Sequence, residues 1–194
     1  MNQLVALLLL PLTFTAVAAE APKDASMHPR AGLYVDARET HEMLTMSEAR
    51  EVVLIDVRDP VELRFTGYTD MTEIHVPWKI IDASTWDEKK QTYGGYTNKN
   101  FAEDVKSRLD TLGVGKNAHL IFMCRSGSTR SAPAADALYA LGYPNVYSMV
   151  DGFEGGKAKD GPHKGARVVS GWKNSALPWG WTLEKDVMYG VNLK

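Results

Sequence analysis

Short apolar runs alternate with segments of helical periodicity along most of this chain. The runs predict buried β-strands, and the periodic segments predict helices, one of which begins at Pro while two end at Gly. The predicted strands are residues 33–35, 52–55, 74–77, 118–123 and 146–149, and the predicted helices are residues 37–46, 60–65, 100–112 and 132–142. Strands and helices in alternation indicate an α/β fold, a doubly wound parallel sheet flanked by helices with right-handed crossovers.

Two stretches depart from this pattern. Residues 82–99 are polar with little periodicity, carry Trp86 and Tyr93, and predict a long loop whose aromatic side chains pack on something. Residues 154–194 begin with a glycine-rich loop, and three of the five tryptophans lie between residues 172 and 181. These tryptophans either form part of the wall of an active site or cover an edge of the sheet, and the usual packing role of tryptophan favours the second.

The two ends of the chain differ from the predicted α/β domain, residues 33–155. Residues 1–19 contain no charged side chain, have an apolar core too short to span a bilayer comfortably, and end in small residues, so they predict a cleaved signal peptide. The processed protein is then expected in the periplasm or outside the cell, without stable insertion in a membrane. Residues 20–32 predict a flexible leader, and residues 156–194 a C-terminal extension packed on the domain.

Composition argues against several kinds of partner. The net charge is -2 and no basic run appears, which argues against nucleic acid, while a hydrophobic content of 44% supports a proper core. The five histidines are scattered without metal-ligand spacing, so we expect neither a metal site nor a cofactor. The single cysteine, Cys124, cannot form an internal disulfide, so its role is chemical, intermolecular or incidental.

Cys124 follows the predicted strand 118–123 and precedes the predicted helix 132–142, in a turn rich in small polar residues. Amide groups at a helix N-terminus bind anions, and Arg125 and Arg130 add full positive charges. A thiol in this setting has a lowered pKa and exists largely as the nucleophilic thiolate, so we predict that Cys124 is catalytic. A buried cysteine acting as a small hydrophobe would need no such neighbours. The residues predicted to bind the substrate are Arg125, Ser126, Gly127, Ser128, Thr129 and Arg130.

The sequence Cys-Arg-Ser-Gly at residues 124–127, followed closely by Arg130 and Ser131, resembles the active-site loop of rhodanese-type sulfurtransferases. In that family the cysteine carries a sulfane sulfur as a persulfide, and loop amides surround that sulfur. The resemblance implies a rhodanese-like fold and an exported enzyme that moves sulfur from a small anionic donor, such as thiosulfate, to a thiophilic acceptor through a Cys124 persulfide. Further similar segments are residues 55–62, 74–77 and 146–152, so the resemblance covers roughly residues 34–155.

Three residues outside the loop are predicted to support it. Asp56 and Arg58 follow the strand 52–55 and are expected to fix the next turn through hydrogen bonds, which is a structural role and not a catalytic one. Glu62 matches a family position that often lies near the active loop. It either pairs with a loop arginine or is an ordinary exposed glutamate.

The loop departs from the rhodanese pattern in length. Five residues separate Cys124 from Arg130, where rhodanese loops of this type usually have four. The longer spacing, followed by Ser131, also satisfies the Cys-x5-Arg-Ser/Thr signature of cysteine phosphatases, and arsenate reductases share the fold. Three functions remain open: a sulfurtransferase, which we favour, a phosphatase or arsenate reductase, and a sulfur-carrier module without turnover. We expect Ser128 and Thr129 to form a local bulge that leaves the surroundings of the thiol sulfurtransferase-like.

Overall fold

The structure, a computed structural model, describes residues 19–191. The predicted signal peptide therefore lies outside the described residues except for its last position. The strands are β1 (Leu33–Val35), β2 (Val52–Asp56), β3 (Ile74–His75), β4 (Lys79–Asp87), β5 (Thr92–Thr97), β6 (His119–Met123), β7 (Val146–Met149), β8 (Gly156–Lys157) and β9 (Arg167–Val169). The helices are α1 (Ala37–Met46), α2 (Pro60–Thr66), α3 (Phe101–Leu112) and α4 (Ser131–Ala140).

Five of these strands form a central sheet in the order β1-β7-β6-β2-β3. Every neighbouring pair in this sheet is parallel. At its centre, β2 and β6 pair along their full length, from Val52 opposite His119 to Asp56 opposite Met123. The prediction of an α/β fold with a parallel sheet flanked by helices is confirmed. Parallel pairing also brings the carboxyl ends of all five strands to one edge of the sheet.

Alternate residues of the central strands point to opposite faces of the sheet, and each face has its own hydrophobic core. On one face, Val53 and Phe122 pack with side chains of α3 and α4 such as Leu138. On the other face, Leu54 belongs to a core that includes side chains of α1 and Trp172 of the C-terminal extension. Because both faces are buried, these strands have the continuous apolar runs that mark them in the sequence.

The prediction of a long loop at residues 82–99 is wrong. β4 and β5 form an antiparallel hairpin, joined to the domain by a hydrogen bond from the Ile81 amide to the Asp59 carboxylate (2.8 Å). The rings of Trp86 and Tyr93 meet edge to face, 6.0 Å apart, and both side chains are more than half exposed. No residue of either strand is buried. The hairpin therefore lacks the alternation of apolar and polar residues that marks a half-buried strand.

The C-terminal extension lies against the domain at several points. Trp172 is fully buried, and Trp179 packs edge to face on Phe153 with ring centroids 6.2 Å apart. These contacts favour the packing interpretation of the tryptophans. Tyr68 and Gly180 exchange two backbone hydrogen bonds of 2.9 and 2.8 Å. The glycine-rich loop predicted at the start of the extension is in part wrong, because β8 and β9 pair there as a short antiparallel hairpin.

The predicted leader, residues 20–32, contains a short 3-10 helix at Ala25–Met27. Its Arg30 amide donates a hydrogen bond to the carboxylate of Asp136 on α4 (2.6 Å). Among residues 19–191, no helix combines the length and the apolar character needed to cross a bilayer.

Candidate active site

Cys124 lies directly after β6, at the carboxyl edge of the sheet where ligands bind in doubly wound folds. Its amide donates a hydrogen bond to the hydroxyl of Ser131 (3.1 Å), the first residue of α4. Its carbonyl accepts one from the amide of Phe153 (2.8 Å), beyond the end of β7. Only 1% of the cysteine surface is exposed. The cysteine is thus fixed by the following helix and by the segment after the neighbouring strand.

The surroundings of the thiol favour its ionised form. Burial raises the pKa of Cys124, but the charge of Arg130 and a hydrogen bond with the Ser131 hydroxyl oppose this effect. The amides of Ser126 and Arg130 act in the same direction, and together these interactions leave the Cys124 pKa below its usual range. The sequence predicts a lowered Cys124 pKa from the charges of both loop arginines. In the structure, the arginine whose charge lowers it is Arg130.

Each loop arginine is already paired with a carboxylate. Both terminal nitrogens of Arg130 donate to Glu62 on α2, and Nη2 lies 2.8 Å from Oε1. The Nε of Arg125 donates to the carboxylate of Glu154, which follows β7. Burial raises the pKa of Glu62, but Arg130 outweighs this effect and holds the pKa below its usual range. Of the two possibilities raised for Glu62, the structure shows the one in which it pairs with a loop arginine.

The loop turns sharply at Gly127, whose φ of +70° belongs to the left-handed region that favours glycine. A Cβ at this position would overlap the carbonyl of Val150, so the loop packs directly on the backbone that follows β7. The hydroxyls of Ser126 and Ser128 lie 3.0 Å apart, and Thr129 is exposed. The longer loop is therefore accommodated with Thr129 on the outside, while the Ser126 amide still contributes to the lowered Cys124 pKa.

Asp56 and Arg58 form a fully buried ion pair at the carboxyl end of β2. The Nη2 of Arg58 lies 2.6 Å from Oδ2 of Asp56, and the guanidinium also donates to the Thr66 hydroxyl (2.8 Å) and the Gly67 carbonyl (3.1 Å). Its Cζ lies 4.0 Å from the centre of the Phe153 ring. These contacts join β2, the end of α2 and Phe153, whose amide binds the cysteine carbonyl. The ion pair therefore has a structural role: it holds together the elements that position Cys124.

Three residues near the thiol have no assigned role in the sequence-based prediction. Ser131 is visible in the Arg-Ser signature, but its hydrogen bond with the Cys124 amide follows only from the geometry. Glu154 and Arg167 lie far from the loop in sequence, and no motif marks either one. Burial and the charge of Arg125 lower the pKa of Arg167, while Glu154 and the Cys124 thiolate act in the opposite direction. The Arg167 charge therefore lies within the electrostatic field of the site.

A further carboxylate at this edge belongs to Asp151, two residues beyond β7. Its Oδ2 accepts a hydrogen bond from the Gly171 amide (2.7 Å), and burial raises the pKa of Asp151 to about 6. This bond fixes the start of the short 3-10 helix Trp172–Asn174 in the C-terminal extension. Within the described part of the chain, His, Cys, Asp and Glu side chains form no group of three or more positioned to hold a metal ion.

Known proteins with similar sequences and structures agree with this arrangement. The family model described as Rhodanese-like domain matches residues 39–159. Uncharacterized protein RP600 of Rickettsia prowazekii is 32% identical over 108 residues, which cover 53% of this chain and 73% of that protein. Its homolog in Rickettsia rickettsii is 35% identical over 82 residues, which cover 42% of this chain and 55% of that protein.

A solved structure extends the comparison to the three-dimensional fold. The crystal structure of Rv0390 from M. tuberculosis is similar to this chain with a TM-score of 0.58 and 29% sequence identity. The similarity covers 76% of this chain and 96% of that one. A rhodanese-like domain is also indicated by the sheet order, by the position of Cys124 after β6 and by the family match over residues 39–159. The chain belongs to the family of Rhodanese-like domain proteins.

Proposed function

We propose that this protein is a sulfurtransferase that carries a sulfane sulfur as a persulfide on Cys124. The thiolate attacks the outer sulfur of a small anionic donor such as thiosulfate, and a new S–S bond forms on Cys124. The S–S bond of the donor breaks, and sulfite leaves with its electron pair. A thiophilic acceptor, such as cyanide or a thiolate, then attacks the outer sulfur of the persulfide. Thiocyanate or a new persulfide departs, and the Cys124 thiolate is restored without any external oxidant or reductant.

The observation that carries this proposal is the position of a buried cysteine at the start of α4, in a loop that lowers its pKa. The charge of Arg130, the Ser131 hydroxyl and the amides of Ser126 and Arg130 oppose the effect of burial and lower the pKa of the Cys124 thiol. Donors fixed in advance around an anionic sulfur stabilise the negative charge as it forms, without reorganisation of the protein during the reaction. The 1% exposure of the cysteine suits a small donor.

The same geometry counts against the phosphatase and arsenate reductase alternatives. A phosphatase needs an acid to protonate the leaving oxygen, and Asp56 and Glu62 are the two carboxylates that the sequence suggests for that task. Asp56 is locked in its buried pair with Arg58, and the Glu62 pKa is held below its usual range by Arg130. Both terminal nitrogens of Arg130 donate to Glu62, so part of the charge and two of the N–H donors of this arginine are already engaged.

Mass spectrometry of the protein after incubation with thiosulfate tests the proposal. The wild-type chain is expected to gain one sulfur atom, and cyanide should remove it and release thiocyanate. The matched control, Cys124→Ser, is expected to do neither. Hydrolysis of a phosphate ester that depends on Cys124, without any detectable persulfide, would replace the sulfurtransferase by a phosphatase. A persulfide that forms but passes to no small acceptor would point to the sulfur-carrier module.

We also propose that the protein acts in the periplasm or outside the cell. The support is the uncharged apolar segment with small residues at its end in residues 1–19. In that setting the donor and the acceptor are small molecules or protein thiols, and nucleic acid remains an unsuitable partner for a chain of net charge -2.

A further inference from the structure

Three arginines and two glutamates lie on the active loop or on segments that contact it, and their pairing is uneven. Arg130 pairs with Glu62 and Arg125 with Glu154. Arg167 takes part in none of the ion pairs formed between side chains of residues 19–191. Of these three guanidinium groups, the one on Arg167 is therefore the one whose charge is not matched by a carboxylate at ion-pair distance.

The position of Arg167 is set by the hairpin β8–β9. Its Nη1 donates to the carbonyl of Gly155 (2.6 Å), the residue next to Glu154. Gly155 has a φ of +74°, and a Cβ there would overlap the carbonyls of Val169 and Ser170, so the hairpin lies tightly on this segment. The Glu154 amide in turn donates to the Arg125 carbonyl in the active loop (2.8 Å). Two hydrogen bonds, one from Arg167 to Gly155 and one from the adjacent Glu154 to Arg125, therefore connect Arg167 to the loop.

The surroundings of Arg167 stabilise its positive charge incompletely. Burial and the neighbouring Arg125 both lower the pKa of Arg167, which means that its positive charge is destabilised where it lies. The Cys124 thiolate and two glutamates oppose this effect without abolishing it. An anion that reaches the thiol would relieve the mismatch, because a guanidinium binds oxyanions through several N–H donors in one plane.

Resting on the sulfurtransferase function proposed above, we infer that Arg167 binds the sulfonate oxygens of the sulfur donor and so selects anionic donors. Arg125 and Arg130 are held by their glutamates in the loop, and Arg130 stabilises the thiolate. Arg167 lies beyond residues 39–159, so this binding group comes from the C-terminal extension and not from the part that matches the family. Its guanidinium orients the donor with the oxygens toward the hairpin and the outer sulfur toward Cys124.

Steady-state kinetics with thiosulfate and cyanide test the inference for the sulfur donor. Arg167→Gln should raise the thiosulfate KM about tenfold with little change in kcat, since one charge-assisted contact is lost. Arg167→Lys should give an intermediate KM, because it keeps the charge without the planar group. The matched control is Lys157→Gln, which removes a positive charge from the exposed residue paired with Arg167 in the same hairpin. It should leave KM near the wild-type value.

A second measurement does not depend on sulfur transfer. Iodoacetate and iodoacetamide alkylate thiols and are similar in size, but only iodoacetate is an anion. The ratio of their rates with Cys124 should fall about tenfold in Arg167→Gln and stay unchanged in Lys157→Gln. If a persulfide forms but neither KM nor the ratio responds to Arg167→Gln, the inference is wrong. If the ratio responds but thiosulfate yields no persulfide, anion binding by Arg167 stands and the proposed sulfurtransferase function fails.

Discussion

At the scale of single residues, Ser131 is one of the groups that stabilise the Cys124 thiolate. Its hydroxyl accepts a hydrogen bond from the Cys124 amide and interacts with the sulfur itself. We predict that Ser131→Ala raises the Cys124 pKa by on the order of one unit, because a hydrogen bond to a charged group contributes about 1.5–3 kcal/mol and one pKa unit corresponds to about 1.4 kcal/mol. The rate of alkylation by iodoacetamide, measured against pH, reports the midpoint.

Ser128→Ala is the matched control for this substitution. The Ser128 hydroxyl lies in the same loop and contacts the hydroxyl of Ser126 at 3.0 Å. Its removal should leave the alkylation midpoint unchanged. Equal shifts in the two variants would show that the loop responds as a whole and that the Ser131 hydroxyl has no specific effect on the sulfur.

Single residues also show what a sequence reveals about a site. Cys124 and its loop are recognisable because the residues that matter are neighbours in the chain and fill a strand-to-helix turn. The carboxylates that pair with the loop arginines are not neighbours of the loop in the chain: Glu62 is indicated only by its family position, and Glu154 by no motif. Arg125 and Glu154 are 29 residues apart, and Arg130 and Glu62 are 68 residues apart. Such contacts depend on how strands order themselves in the sheet, which no local pattern encodes.

At the scale of elements, the active loop depends on its close approach to the segment after β7. Gly127→Ala should abolish persulfide formation, because a Cβ there would overlap the Val150 carbonyl and because the φ of +70° is strained for alanine. A left-handed conformation alone costs roughly 1–2 kcal/mol in a residue with a side chain. The overlap adds to this cost, so we expect the free energy of unfolding in urea to fall by more than that amount.

Gly32→Ala separates the two effects. Gly32 has a similar φ of +64°, but a Cβ there would have no neighbour within 4 Å. This substitution should lower the free energy of unfolding only by the conformational cost, roughly 1–2 kcal/mol, and should leave sulfur transfer intact. If both variants lose the same stability and keep activity, the loop is able to move away from Val150 without consequence.

Most elements were predictable because local rules and tertiary packing agree. α1 begins after Asp36, whose side chain and that of Glu39 form a capping box, and α2 begins at Pro60 after a second capping box. The buried strands have apolar residues on both faces. The β4–β5 hairpin was not predictable, since its side chains are solvated and its pairing rests on backbone hydrogen bonds that leave little mark in the sequence.

At the scale of the whole molecule, His75 links the central sheet to the end of the chain. Its Nδ1 accepts a hydrogen bond from the Tyr189 amide (3.3 Å), and its Nε2 donates to the Arg58 carbonyl (2.9 Å). The backbone amide of His75 donates to the Val187 carbonyl (3.3 Å). Both ring nitrogens are therefore satisfied by the neutral imidazole, and burial lowers the pKa of His75.

This buried histidine makes stability depend on pH. Below about pH 6.5 the unfolded chain binds a proton at residue 75 that the folded chain resists, so the free energy of unfolding falls as pH falls. The loss is at most about 1.4 kcal/mol for each pH unit. We predict that urea unfolding between pH 7.5 and 5 shows this loss in the wild-type protein and not in His75→Gln, whose side chain does not titrate.

The pH dependence of the free energy of unfolding must be compared between wild type and His75→Gln, because titration of Asp151 changes stability in the opposite direction. Its pKa, raised to about 6, means that the stability it contributes is present at low pH and lost as pH rises through about 6. His163→Gln, at an exposed histidine, should keep the wild-type pH dependence. The same slope in wild type and His75→Gln would mean that protonation of His75 does not oppose docking of the chain end.

The ion pair between Arg130 and Glu62 makes the reactivity of this chain conditional on folding. In an unassembled chain Cys124 is an ordinary thiol with a pKa near 8.5, because the amides, hydroxyl and guanidinium that lower it come together only in the native fold. Arg130 takes up its place beside the sulfur only when α2 has docked and supplies Glu62. An unfolded chain therefore carries a thiol that ionises at a higher pH than the native one. The pH midpoint of alkylation by a neutral reagent then reports whether the loop and α2 have assembled around the cysteine.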